Sequence, residues 1–459
     1  MNHILFELLE NAGFLRGSTI NTDKIARAKR SELVSIAEQS AELTPTSSVN
    51  NVDSIFSHTA SLSLGGGPTP CGALDCRTKR ARELVQFAAF YSDRVFVNNN
   101  LFASSGRYQE DAIDEARSAF HDELEIVLIL KPMIESGLIV PITPTTTLCY
   151  HCLGKTALPD SERKRFDDAL RRFTKRFEME TEATLENYGD GLLDLSIRGN
   201  DDLVEHGSAH KDWGEIKSIA KGQPRLAKQL EKEQPVLLSK ALRKRLGVDT
   251  DMAHSLFNDI GFEMAVSQCL RSSIVTSRPI HVEILNDFFR NDAVNRRNTL
   301  IQQHLTCIVP FLNNISTSEL LTLRNGEADA FISFRQAFAK AVDEHMKSKP
   351  GRLTQQDAEE IYKEVIEPEL ARLNQKVNTA SKSLFKRSRA GILGWVAAIS
   401  AGHYFGFLES GLIATAKALG LTKVAADLAG NLIGISSEDS IRNEKMYFLW
   451  KVQHRAQRS

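Results

Sequence analysis

The chain has 459 residues, 42% of them hydrophobic and 25% charged, with 57 Lys and Arg against 58 Asp and Glu. That length predicts two or three domains, and the composition excludes an intrinsically disordered chain. A formal net charge of −1 excludes a global basic field of the kind that drives non-specific nucleic-acid binding, while leaving room for a local basic face.

The opening MNHILFELLENAGF has no basic residues ahead of its apolar ones and is interrupted by Glu7 and Glu10, which argues against a secretory signal. Six cysteines are too few for a disulfide framework and predict reduced thiols. A cytoplasmic location, with a membrane-associated state as an alternative, is the expectation. Residues 1–45 read as helical, with Leu5, Leu8, Leu9 and Phe14 on one face and Thr22 capping a second helix that carries Ile25, Ala28, Leu33 and Ile36. Residues 44–75 break the pattern and read as a long loop, including SLSLGGGPTPCGALDC.

From residue 77 the rhythm is helix, strand, helix, strand: an amphipathic helix to Tyr91, the run Val95-Phe96-Val97, a helix near 109–134, and Leu138 to Ile142. This is an α/β unit with parallel neighbouring strands, whose ligand side would be Asn98–Asn100 and Thr143–Thr147. The region 155–260 is dense in charge. It carries Phe166, Leu170, Phe173 and Phe177 at helical spacing, a strand-like run from Leu192 to Ile197, and a basic helical stretch over 226–246. Apolar-periodic helices fill 252–345, and Thr354 with Asp357 predicts a capping box for a helix reaching about 385. The fold class expected is predominantly α-helical, α+β, with a small α/β portion near 77–150, a long helical hairpin near 317–385 and an apolar, Gly-rich helical C-terminal segment. Three domains are expected, at 1–154, 155–260 and 261–459.

Four patterns carry chemistry. The stretch 390–435 is apolar and glycine-punctuated, and follows the basic Lys386, Arg387 and Arg389. A bilayer helix needs about 20 apolar residues, and the spacing of Gly402 and Gly406 suits helix approach in lipid. Glu409, Lys417, Lys423 and Asp427 favour a buried helical hairpin instead. Cys71, Cys76, Cys149 and Cys152 form two close pairs that could hold a structural zinc, with free thiols as the alternative. Arg163, Lys164, Arg165, Arg171, Arg172, Lys175 and Arg176 flank the Phe stripe and could meet phosphates or an acidic protein surface; a solvated helix face is the simpler account. Asp194, followed by Glu215-Ile-Lys217, is an acid plus Glu-x-Lys pattern that could hold Mg²⁺ and orient a water at a phosphodiester. His206 and His210 with Glu205 read as a solvated loop. Gly154-Lys155-Thr156 and Gly65-Gly66-Gly67 lack the rest of a phosphate loop, and the triple glycine reads as a tight turn.

The string from Glu319 through Leu320, Arg324 and Phe331 to Arg335, with the terminal Tyr447-Phe-Leu-Trp-Lys451, resembles uncharacterised bacterial proteins found in anti-phage defence loci. That resemblance implies an intracellular bacterial protein with a partner or a conditional toxic role, and it brings no catalytic residues. The functional expectation is a non-enzymatic interaction protein that binds a protein partner or nucleic acid. A membrane-acting effector using 390–435 and a metal-dependent nuclease using Asp194, Glu215 and Lys217 are the alternatives.

Overall fold

The two strands expected near residues 95 and 140 pair in parallel, and two strands that the sequence hides extend them into one sheet. The computed structural model describes residues 3–43, 55–67, 72–144, 160–187, 189, 192–200, 203–204, 208–215, 222–232, 234–276, 278–288, 297–298, 301–302, 305, 309, 312, 314–348, 355–376 and 441–457. The chain divides into two units, Met1–Gln303 and His304–Ser459.

The first unit opens with α1 (Ile4–Asn11), a small hairpin of β1 (Leu15–Arg16) and β2 (Thr19–Ile20), α2 (Thr22–Arg27) and α3 (Arg30–Glu42). Asn21, not Thr22, caps α2, accepting from the Lys24 amide at 3.3 Å. Next come β3 (Ser57–Ala60), α4 (Leu74–Tyr91), β4 (Arg94–Asn98), α5 (Asn100–Ala103), α6 (Ser105–Glu110), α7 (Ile113–Glu135) and β5 (Ile139–Ile142). The unit continues through α8 (Asp160–Glu180), β6 (Thr181–Asn187), β7 (Leu192–Gly199), β8 (Ser208–Glu215), α9 (Pro224–Leu230) and β9 (Val236–Leu237). It closes with α10 (Lys240–Leu246), α11 (Val248–Cys269), β10 (Ser273–Val275) and α12 (Pro279–Phe288).

The parallel sheet runs β10-β3-β4-β5. Its strand β3 falls inside the stretch expected to be a loop. Ser-His-Thr-Ala has no apolar alternation, yet all four residues are buried, as strands of parallel sheets are on both faces. Phe87 and Tyr91 of α4 pack on the His58 ring at 4.9 and 5.9 Å, and Thr59 Oγ1 meets Ser272 Oγ at 2.6 Å. The second sheet is antiparallel, in the order β8-β7-β6-β9. Leu193, Leu195 and Ile197 of β7 face a core shared with Phe173 and Phe177 of α8 and Leu256, Phe257 and Ile260 of α11. The other end of α11 supplies Val266, and the capping Leu270 that follows it, to a cluster with Phe96, Val140 and Ile142 of the parallel sheet. One helix thus ties both sheets together, and the Phe166–Phe177 stripe is core.

In the second unit, α13 (Thr317–Gly326) and α14 (Ala328–Ser348) divide the first arm of the hairpin expected near 317–385. The break is at Glu327, whose φ of −127° and ψ of 44° leave the helical region directly after Gly326. A capping box joins Ser316 and Glu319 at the start of α13. The next helix comprises α15 (Gln355–Ile361), a π-helical turn at Tyr362–Ile366 and residues 367–376; the expected extension to 385, and Thr354, lie outside the described residues. Finally α16 (Tyr447–Ala456) sets Phe448 against Phe331 and Phe334, with ring centroids 4.9 and 5.7 Å apart. The whole is predominantly helical α+β. Among the described residues no helix is long and apolar enough to cross a membrane; the stretch 390–435 lies outside them.

Candidate functional site

The carboxyl edge of the parallel sheet is where an open α/β sheet binds ligands, but here the chain's own side chains occupy it. Arg77 Nε donates to Gly66 O at 2.7 Å, Arg80 Nε to Ser63 O at 2.9 Å, and Asn100 Nδ2 to Gly65 O at 2.8 Å. The Leu62 amide donates to Glu263 Oε1 on α11 at 2.7 Å. A β-carbon on Gly66 would sit 2.5 Å from Ile126 Cγ2, and one on Gly67 would sit 2.6 Å from Leu62 O. The triple glycine therefore serves close packing of a buried turn against α7. Asn99 is also used locally: its Oδ1 accepts from the Phe102 amide and its Nδ2 donates to Ser40 Oγ.

The antiparallel sheet offers a different surface. Its residues alternate, so the face opposite the core carries Glu182, Thr184 and Glu186 of β6, then Asp194, Ser196 and Arg198 of β7, then Ser208, His210 and Asp212 of β8. Every one of these positions is polar. Glu186, Asp194 and Asp212 stand side by side across three strands. Asp194 Oδ2 lies 2.8 Å from His210 Nδ1. The carboxylate is largely buried, at 12% side-chain exposure, whereas the imidazole is 62% exposed. That arrangement fixes Nδ1 as the donor and leaves Nε2 as a proton acceptor on the open side.

A bulge then brings one more position to this face. Leu192 pairs with residue 215 and Asp194 with Asp212, so Trp213 and Gly214 together oppose Leu193. Gly214 has φ +87°, the conformation that glycine adopts without strain. Position 215 thereby returns to the side of the sheet that carries positions 192 and 194. The sequence pattern was sound in placing Asp194 on a strand. The strand β8 carries the pairing up to position 215. The Glu215 side chain and all of Lys217 lie outside the described residues, as do His206 and Glu205. His210 stands on a strand, not in the loop expected for it, because the pairing with β7 supplies the backbone partners that its sequence does not advertise.

The basic residues of α8 are on the far side of this sheet, since their helix packs on its core face. Over Asp160–Glu180 seven basic residues meet six acidic ones, and several are paired. Arg171 bonds to Asp168 at 2.5 Å, and Arg176 bonds to Glu283 at 2.7 Å and to Glu180. Lys164, Arg171, Arg172 and Lys175 are exposed; the side chains of Arg163 and Arg165 lie outside the described residues. Arg243 of the basic stretch is buried. It donates to the Phe177 carbonyl at 2.9 Å, to Thr181 and to Asp249, so it closes the end of α8. Of the four cysteines, Cys76 is a half-buried thiol in the first helical turn of α4; Cys71, Cys149 and Cys152 lie outside the described residues.

Compared with protein-family models, with curated proteins and with solved structures, the chain matches none.

Proposed function

We propose that the polar face of β6, β7 and β8 is a hydrolytic site for a phosphodiester, worked with a divalent cation. The observation that carries this is the Asp194–His210 hydrogen bond, set beside Asp212 and the bulge that returns position 215 to the same side. Asp194 and Asp212 would hold Mg²⁺ or Mn²⁺ through their carboxylate oxygens, the hard ligands those ions take. His210 Nε2 takes the proton of a water as its oxygen attacks phosphorus. The P–O ester bond breaks, and the leaving alkoxide takes a proton from solvent. A hydrolase acting on nucleic acid is compatible with the resemblance of 319–335 to proteins of anti-phage loci.

The test is incubation of the purified full chain with single- and double-stranded DNA, RNA and bis(p-nitrophenyl) phosphate, in Mg²⁺ or Mn²⁺. Cleavage should stop with chelator, and Asp194→Asn or His210→Gln should lower it by about 100-fold or more. Cleavage that is the same in both variants, or none on any substrate, removes the reading.

Binding without chemistry is the second reading, and it rests on the exposed Lys164, Arg171, Arg172 and Lys175 of α8. Near-equal acid and base content along that helix favours a short, specific contact over a phosphate-tracking surface. It would be supported by partner capture lost in a Lys164→Glu, Lys175→Glu variant with Asp194 intact. A membrane-acting role would rest on 390–435 alone, and a structural zinc on Cys71, Cys76, Cys149 and Cys152 coming together.

A further inference from the structure

The second unit holds a cluster that the patterns in the sequence do not announce. His345 is in the last turn of α14, and Asp357 and Glu360 are three residues apart on α15. One ligand atom from each lies within 4.8 Å of the others. His345 Nε2 is 3.9 Å from Asp357 Oδ1, with side-chain exposures of 8% and 16%. That separation is too long for a hydrogen bond. Nε2 is nevertheless shielded from solvent and has no hydrogen-bond partner. A buried imidazole nitrogen aimed at two carboxylates without bonding to either is costly as it stands. It is the arrangement a metal ion satisfies.

We propose that His345, Asp357 and Glu360 bind a first-row divalent cation that pins α14 to α15. One nitrogen and two carboxylate oxygens suit Zn²⁺, Mn²⁺, Fe²⁺ or Co²⁺, and they disfavour the thiolate-seeking ions. Bonds of about 2.0–2.2 Å put neighbouring ligand atoms roughly 3.4 Å apart in a tetrahedron, so the present 3.9 Å closes by a small side-chain movement. Three protein ligands leave the fourth position to water. The i, i+3 spacing places both carboxylates on one helix face, and the π-helical turn at Tyr362–Ile366 begins directly after this site. The site is independent of the phosphodiester reading, which uses residues of the first unit.

The experiment is Co²⁺ and Zn²⁺ titration of the chelator-treated full chain, followed by calorimetry, cobalt absorption and thermal denaturation. In an Asp194→Asn background, which removes the first unit's candidate cation site, the expected result is one site per chain, cobalt d–d bands without the near-ultraviolet thiolate charge-transfer band, and a raised Tm. Removing a metal ligand should cost at least what removing an outer-shell partner costs, roughly tenfold in affinity or more. In that background His345→Gln and Glu360→Gln should each show that loss, whereas Cys76→Ser should not. Circular dichroism of the two glutamine variants separates lost binding from lost fold. Failure of the full chain to bind either ion, a thiolate band, or equal binding by folded His345→Gln and Glu360→Gln variants would overturn the proposal.

Discussion

Arg77 of α4 and Glu123 of α7 form an ion pair at 2.5 Å with side-chain exposures of 1% and 0%. Ser104 Oγ donates to the same carboxylate at 2.9 Å, and Arg77 Nε holds the Gly66 carbonyl. Burial pushes the Glu123 carboxyl up, against the opposing pull of Arg77 and Ser104. A pair of this kind is expensive to break from one side, because the survivor is a buried, uncompensated charge. Arg77→Met should therefore cost about 3–5 kcal/mol in urea unfolding, and Arg77→Met with Glu123→Leu should cost less than Arg77→Met alone. A double variant as unstable as the sum of the singles would show that the two groups are not coupled.

Gly66→Ala tests the turn itself. The positive φ of +85° costs about 1–2 kcal/mol for a residue with a β-carbon, and the 2.5 Å approach to Ile126 adds to that. Gly106→Ala, where nothing lies within 4 Å of the new methyl, is the control and should be neutral or better. Equal midpoints for the two variants would contradict the packing described.

His281 gives the first unit a pH dependence. Burial, and then Arg278, hold its imidazole well below the ordinary histidine range. Arg278 can only donate, so Nε2, at 3.2 Å, accepts from it, and Nδ1–H donates to Thr276 Oγ1 at 3.2 Å. Glu263 Oε2 faces Nδ1 at 4.0 Å. The folded state resists the proton that the unfolded chain takes up. Stability is thus present above about pH 6.5 and is lost as pH falls towards the lower folded value, by at most about 1.4 kcal/mol per pH unit. His281→Gln should flatten this slope between pH 7 and 5 in thermal unfolding.

Glu444 acts in the opposite unit and at lower pH. Its hydrogen bond from Lys376, and then the nearby Arg372, hold its carboxyl below the usual range. A depressed carboxyl stabilises above its unfolded value of about 4.3 and loses that contribution as pH falls through its folded value. Solvent screening keeps the gain small, about 0.5–1 kcal/mol. Glu444→Gln should lower the Tm slightly at pH 7 and leave it unchanged near pH 2; an equal deficit at both would point to packing.

Much of the local structure was legible because apolar spacing survives any context. The helices near 77–91, 109–134 and 161–178 and the strands near 95 and 140 follow from their periodicity. The strands β3, β6 and β8 were not legible. Ser-His-Thr-Ala is short and polar, and β6 follows α8 without a break in charge density. The sequence of β8, SAHKDWGE, holds few residues that prefer strands. They are strands because neighbours supply their hydrogen bonds.

The same division holds for the candidate sites. Composition alone argued for a globular chain with cysteines too few to staple it, since those properties are sums over residues, while its helices came from apolar spacing. The pattern at Asp194 and Glu215 was visible, but spacing could not say whether 208–215 paired with 192–199; the Gly214 bulge decided which positions share a face. His345 carried no signal next to Asp357 and Glu360, for they approach only when α14 and α15 fold side by side. Contacts between distant positions are fixed by packing and pairing, and those exist only in the tertiary structure.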